Sequence, residues 1–105
     1  MPEYLLVSTT AGSREAAAVL VRSAVRARLA ASGQVLGPVL SAFWHQGEFG
    51  EGEEWQVLLK TEASRYAELQ AHLIGNHPWQ NPEVTAFRIA DGSAAYLEWI
   101  SRATS

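Results

Sequence analysis

Cysteine is absent from this chain of 105 residues. Its absence excludes a disulfide framework and a thiolate metal centre. Nowhere do eighteen apolar residues run together, so no segment reads as a membrane-spanning helix. The opening "MPEYLLVSTT" has no basic n-region and no long apolar run. No signal peptide is expected there, and the expected compartment is the cytoplasm. Charge is also scarce: 18% of residues carry one, and the net charge is -3. The arginines are scattered and form no basic run, which argues against a nucleic-acid partner.

Apolar and aromatic residues are what the chain does have. Hydrophobic residues make up 48%, and there are four tryptophans. Large aromatics need a core or an interface. A single domain over residues 1–105 is expected. A domain this short buries a limited fraction of its surface, which makes self-association a live option.

Hydrophobic periodicity predicts seven elements. "YLLVSTT" (Tyr4 to Thr10) reads as a buried strand. Ser13 is a fair N-cap for a helix from Arg14 to Ala31, ended by Gly33. Its expected inner stripe is Ala18, Val21, Val25 and Leu29, with Arg22, Arg26 and Arg28 on a solvated face. Val35 to Glu48 reads as extended, and Pro38 marks an edge or a bulge. The glycines of "GEFGEGEE" signal a turn, after which Trp55, Val57 and Leu59 alternate with Gln56, Leu58 and Lys60. A hairpin from Val39 to Thr61 has arms longer than the usual ~5–6 residues. Tyr66, Leu69, Leu73 and Ile74 mark a second helix, capped by Thr61 or Ser64. "GNHPWQNP" is a loop and "EVTAFRIA" (Glu83 to Ala90) a fourth strand. Ser93 caps a last helix through Ile100, anchored by Tyr96, Leu97, Trp99 and Ile100.

The predicted order is β-α-β-β-α-β-α. It is an α+β arrangement whose first six elements follow the split β-α-β, or ferredoxin-like, pattern. Two helices cover one sheet face. Leu58 and its neighbours leave the other face apolar, which again points to self-association.

Chemistry-bearing residues are few. His45, His72 and His77 are the only histidines. His72 and His77 stand five apart, not at the spacing that places two imidazoles on one helix face. A divalent cation such as Cu(II) has His77 with Glu83 as its candidate ligands, weighed against a His77 that simply hydrogen-bonds loop backbone. Glu48, Glu51, Glu53 and Glu54, spaced by glycines, read as a solvated turn rather than paired carboxylates, because no nucleophile or oxyanion motif accompanies them. Ser8, Thr9 and Thr10 precede a helix without forming a Gly-rich phosphate loop, and capping that helix is their expected role.

Four stretches, taken in order, resemble the CutA family of divalent-cation tolerance proteins. They are "RLAASGQV" (Arg28 to Val35), "FWHQGEFGEGEEWQVLLKT", "NHPWQNPEV" (Asn76 to Val84) and "AAYLEWI". The resemblance implies a ferredoxin-like fold assembled as a tight homotrimer through long hairpins, with Phe43, Trp44, Phe49 and Trp55 as intersubunit packing. It further implies clefts between subunits. There Trp44, Lys60, His77 and Trp79 form a pocket for a small anion, on the expectation that Lys60 faces Trp44 or Gln46 across a turn near Gly50. The chain departs from the family pattern at Ser32, where a cysteine is common, and at Gln80, where a glutamate is common. Both departures remove a metal-binding group. The expected function is metal-ion tolerance or small-ligand signalling without catalysis. The competing readings are a purely structural or partner-binding trimer and a small enzyme using His77 and Glu83. A ferredoxin-like RNA binder is a more distant reading, opposed by the acidic balance and the missing aromatic strand motif.

Overall fold

Strand β1 (Tyr4–Ala11) alternates Val7, Thr9 and Ala11 toward a buried layer, and helix α1 (Arg14–Arg26) packs above that layer. These and all other positions come from a computed structural model that describes residues 2–105. Ser13 caps α1: its hydroxyl accepts the Ala16 N–H at 3.1 Å, satisfying one of the free donors of the first turn. Thr9 and Thr10 belong to β1 and take no part in that cap.

Helix α1 ends five residues earlier than its apolar pattern predicts. Arg28 takes a left-handed φ of 59°. The Leu29 N–H then returns to the Ala24 carbonyl at 3.0 Å, and the Arg28 N–H to that of Val25 at 3.0 Å. This pair of bonds is the Schellman closure, here built without glycine. The buried face of α1 is Ala17, Leu20 and Ala24, one position round from the predicted stripe. Small alanines there let the helix lie close on the sheet.

Strands β2 (Ser32–His45) and β3 (Glu48–Glu62) form the long hairpin. Its turn lies at the very start of the glycine-rich stretch, not in its middle near Gly50. Gln46 and Gly47 have φ of 52° and 81° and join His45 directly to Glu48. Two residues with positive φ make the tight turn whose twist matches antiparallel strands. The pairing slips by one residue between Leu36 and Val39. Pro38, which cannot donate to the ladder, sits in that bulge as its chemistry requires.

A single 3-10 turn (Ala63–Arg65) leads into α2 (Tyr66–Asn76). Neither predicted cap serves it: the Thr61 hydroxyl donates to the Leu29 carbonyl at 2.7 Å, and that of Ser64 to the Glu62 carboxylate at 3.1 Å. Strand β4 shrinks to Thr85–Arg88, and α3 runs Ala94–Ala103, past Ile100. Ser93 stands at the N-cap position of α3 but makes no side-chain cap bond.

The four strands form one antiparallel sheet in the order β2-β3-β1-β4, the arrangement of a ferredoxin-like fold. Helices α1 and α2 bury Leu20, Leu69 and Leu73 against Val7, Val57 and Leu59 on one face. Helix α3 covers one end of the other face, where Ile100 meets Tyr4 and the Tyr4 hydroxyl bonds Ser101 Oγ at 2.7 Å. The hairpin arm makes the chain long. Its extents are 44 × 25 × 21 Å and its radius of gyration 14.3 Å, against about 13 Å for a compact domain of this length.

Candidate functional site

His77 follows α2 as its C-cap and is buried against the end of β1. Its Nε2 lies 2.6 Å from the Thr10 carbonyl, and its Nδ1 accepts the Trp79 N–H at 3.1 Å. A carbonyl only accepts, so Nε2 carries the hydrogen and Nδ1 the lone pair. Both ring nitrogens are therefore engaged. Trp79 folds over the same corner: its ring lies 4.8 Å from that of His77, and its edge approaches Gly12. The loop bond to backbone is what the structure bears out for His77. A cation reaches its Nδ1 only by displacing the Trp79 N–H. The exposed Glu83 carboxylate accepts the Thr85 hydroxyl on Oε2 at 3.2 Å, and nothing in the structure brings it to His77. No group of three metal-ligating side chains occurs among the described residues, and the pair His77 and Glu83 does not fit a resident metal centre.

The other histidine with partners, His72, bonds Ser23 Oγ at 2.9 Å. The Ser23 hydroxyl also reaches the Leu20 carbonyl at 3.2 Å, and the imidazole tautomer sets which partner donates across the His72–Ser23 contact.

The register overturns the expected neighbourhood of Lys60. Lys60 pairs with Ser32 and Leu6, not with Trp44 or Gln46. Trp44 pairs with Phe49 at the hairpin tip. Eleven residues of β3 separate Phe49 from Lys60, about 37 Å at strand rise. Within one chain, His77 and Trp79 come together while Trp44 and Lys60 stand apart from each other.

The hairpin aromatics divide by face. Trp44 and Phe49 meet edge to face at 6.0 Å and are 76% and 59% exposed. Phe43 points to the opposite side, where its ring lies over Gly50 at a distance that a Cβ would violate. Trp55 sits at the root of the arm, half-buried on its own core and against Gly37. It packs within its own chain.

The second sheet face extends from Phe43 and Val39 through Leu36 and Leu58 to Leu6 and Phe87. Phe87 is 59% exposed and Leu36 43%. Sequence alternation located Leu58 here. The short, exposed β4 hid Phe87, whose role appears only once β4 pairs with β1.

A ferredoxin-like domain with an overlong hairpin, a partly uncovered apolar sheet face and a histidine-latched loop defines the class. The comparisons with known proteins supply the family. The model of the CutA1 divalent ion tolerance proteins matches residues 5–103, and the chain belongs to that family. A divalent-cation tolerance protein CutA of Thermus thermophilus is 33% identical over 99% of this chain and 99% of its own length. A chloroplastic CutA of Arabidopsis thaliana is 33% identical over 95% of this chain, which spans 55% of that longer protein. Among solved structures, CutA from Xylella fastidiosa superposes with a TM-score of 0.94 at 29% identity, covering 97% of this chain and 98% of that one.

Proposed function

We propose that the chain works as a non-catalytic homotrimer in tolerance to divalent cations, with cations or small anions taken in clefts between subunits. The observation that supports this reading is the second sheet face. Leu6, Leu36, Leu58, Phe43 and Phe87 lie on it, and α3 covers only its Tyr4 end. Contiguous apolar surface of this kind marks an interaction site. Lys60 is the single cation at the strand positions of that face, which gives an anion one charged partner beside Ser32 and Gln34.

One feature supports the absence of catalysis: His77 spends both nitrogens on backbone. The family description names a tolerance and no reaction.

Sedimentation at micromolar concentrations tests the assembly, and the mass of three chains is expected. A well-behaved monomer throughout that range overturns the reading. Thermal shift with Cu(II), Zn(II) and small anions tests the clefts, since a ligand of the native state raises the melting point by mass action.

A further inference from the structure

We propose that the cavity between the start of β1, the end of β4 and the first turns of α3 binds a small zwitterion with an apolar side chain, in the class of free branched or aromatic amino acids. The site lies within one chain and stands apart from the assembly proposed above.

The cavity has a volume of about 560 Å³, inside the range of about 300–1,000 Å³ usual for small-molecule sites. Its wall is divided by chemistry. Pro2, Ile89 and Leu97 are apolar, whereas Glu3, Arg88, Asp91 and Glu98 carry charge. The apolar part is fixed from behind, because Ile89 and Leu97 pack on the small core of Tyr4, Ala31 and Ile100. Backbone bonds hold the walls. The Ile89 N–H donates to the Tyr4 carbonyl at 2.9 Å, and the Ala63 N–H to that of Glu3 at 2.7 Å. Gly92 fits closely over Leu97, where a Cβ would stand 3.1 Å from its Cδ2. A site held this firmly loses little freedom when it fills.

The charges decide the ligand. Glu3, Asp91 and Glu98 share the cavity with a single guanidinium, that of Arg88. An anion with no positive group gains Arg88 but faces the carboxylates. A cation with no negative group gains the carboxylates but faces Arg88. A zwitterion uses both signs.

Arg88 is open to the carboxylate of such a ligand. Its ion-pair partner is Glu3 at 3.5 Å, and the two side chains are 70% and 54% exposed. A pair so exposed contributes little. The guanidinium has five donors in a planar fork, enough to hold an incoming carboxylate through two parallel bonds. The ammonium group meets Glu98, which has no ion-pair partner among the described residues. Asp91 stands beside it, with Oδ1 already accepting the Gly92 N–H at 2.8 Å. The side chain of the ligand then lies against Ile89 and Leu97. Successive strand residues point to opposite sides, so Arg88 points away from the sheet face that carries Phe87. Assembly through that face leaves the guanidinium on the other side.

Calorimetry and thermal shift at neutral pH test the site with L-leucine and L-phenylalanine at millimolar concentration. Binding of at least one is expected. Its amide lacks the carboxylate, its N-acetyl form lacks the ammonium, and glycine lacks the side chain. Each of the three should bind about tenfold more weakly or worse, the loss of roughly one charge-assisted bond or one apolar contact. Arg88→Gln and Glu98→Gln should each weaken the parent amino acid by a similar factor, with circular dichroism confirming the fold. Arg26→Gln, on α1 and outside the cavity, should leave binding unchanged. No heat and no rise in melting point with either amino acid overturns the proposal. So does an amide or an N-acetyl form that binds as well as its parent. Binding that ignores Arg88→Gln or Glu98→Gln belongs to another surface and also overturns it. The readout is independent of oligomeric mass, so a monomeric protein that binds leucine through Arg88 and Glu98 bears out this site while overturning the trimer.

Discussion

His77 and Thr10, 67 positions apart in the chain, are joined by a hydrogen bond of 2.6 Å from imidazole to carbonyl. The same ring takes the Trp79 N–H on its other nitrogen. One side chain thus ties the loop after α2 to the end of β1, directly beside the start of α1.

His77→Ala should therefore destabilise the protein. It leaves a carbonyl and an N–H without their partner in a half-buried corner, at a cost of about 1 kcal/mol, toward the lower end of the range for unmade bonds. Denaturant titration at constant protein concentration measures the loss. The variant should still fold, because the main core of Leu20, Leu59, Leu69 and Leu73 does not include this residue. A stability equal to wild type would mean that the two bonds are exchanged for water at no cost.

Copper titration separates a structural His77 from a ligand. The ring nitrogens are both committed to backbone groups. Wild type and His77→Ala are expected to bind Cu(II) equally and weakly, read by calorimetry at neutral pH. A tenfold or greater loss of affinity in the variant would show that a cation displaces the Trp79 N–H and takes Nδ1.

The sequence made the order of elements and the bulge at Pro38 legible, because alternation and proline chemistry are local. It also located Leu58 on the second face. The ends of the elements were less legible. Arg28 closes α1 in a conformation that glycine usually supplies, so the eye passes on to Gly33. The turn uses Gly47, the first glycine of the stretch, while Gly50 and Gly52 draw attention further along and lie within β3. The pocket of Trp44, Lys60, His77 and Trp79 needed Lys60 near the hairpin tip, yet even a turn centred on Gly50 sets Lys60 opposite Leu40, and the observed turn moves its β2 partner further back to Ser32.

Gly33 shows how tightly α1 lies on the sheet. Gly33→Ala places a methyl within 2.6 Å of Leu59 and 2.8 Å of Val21, both side chains of the core layer. Overpacking of this kind costs about 1–3 kcal/mol. Gly52→Ala is the control, because a Cβ there meets nothing within 4 Å. Thermal melts of the two variants should differ clearly, with Gly33→Ala the lower. Equal melting points would mean that α1 shifts freely to admit the methyl.

The uncovered sheet face makes the last prediction. Leu58 sits in the middle of it, paired with Gln34 on one side and Ser8 on the other, and is only half-buried within its own chain. In a trimer packed through this face, Leu58→Glu carries a carboxylate into the interface with no counter-charge across the strands and only Lys60, two positions along β3, on the same face. Burial of an unpaired charge is strongly unfavourable, and each 1.4 kcal/mol weakens association about tenfold. The variant should sediment as a monomer at concentrations where the wild type is expected to sediment as the proposed trimer. Ile74→Glu is the matched control: Ile74 is also apolar and 44% exposed, but it lies on α2, across the core from this face. It should leave the mass unchanged. If both substitutions dissociate the protein, the effect is general destabilisation. If neither does, the second sheet face is not where the copies meet.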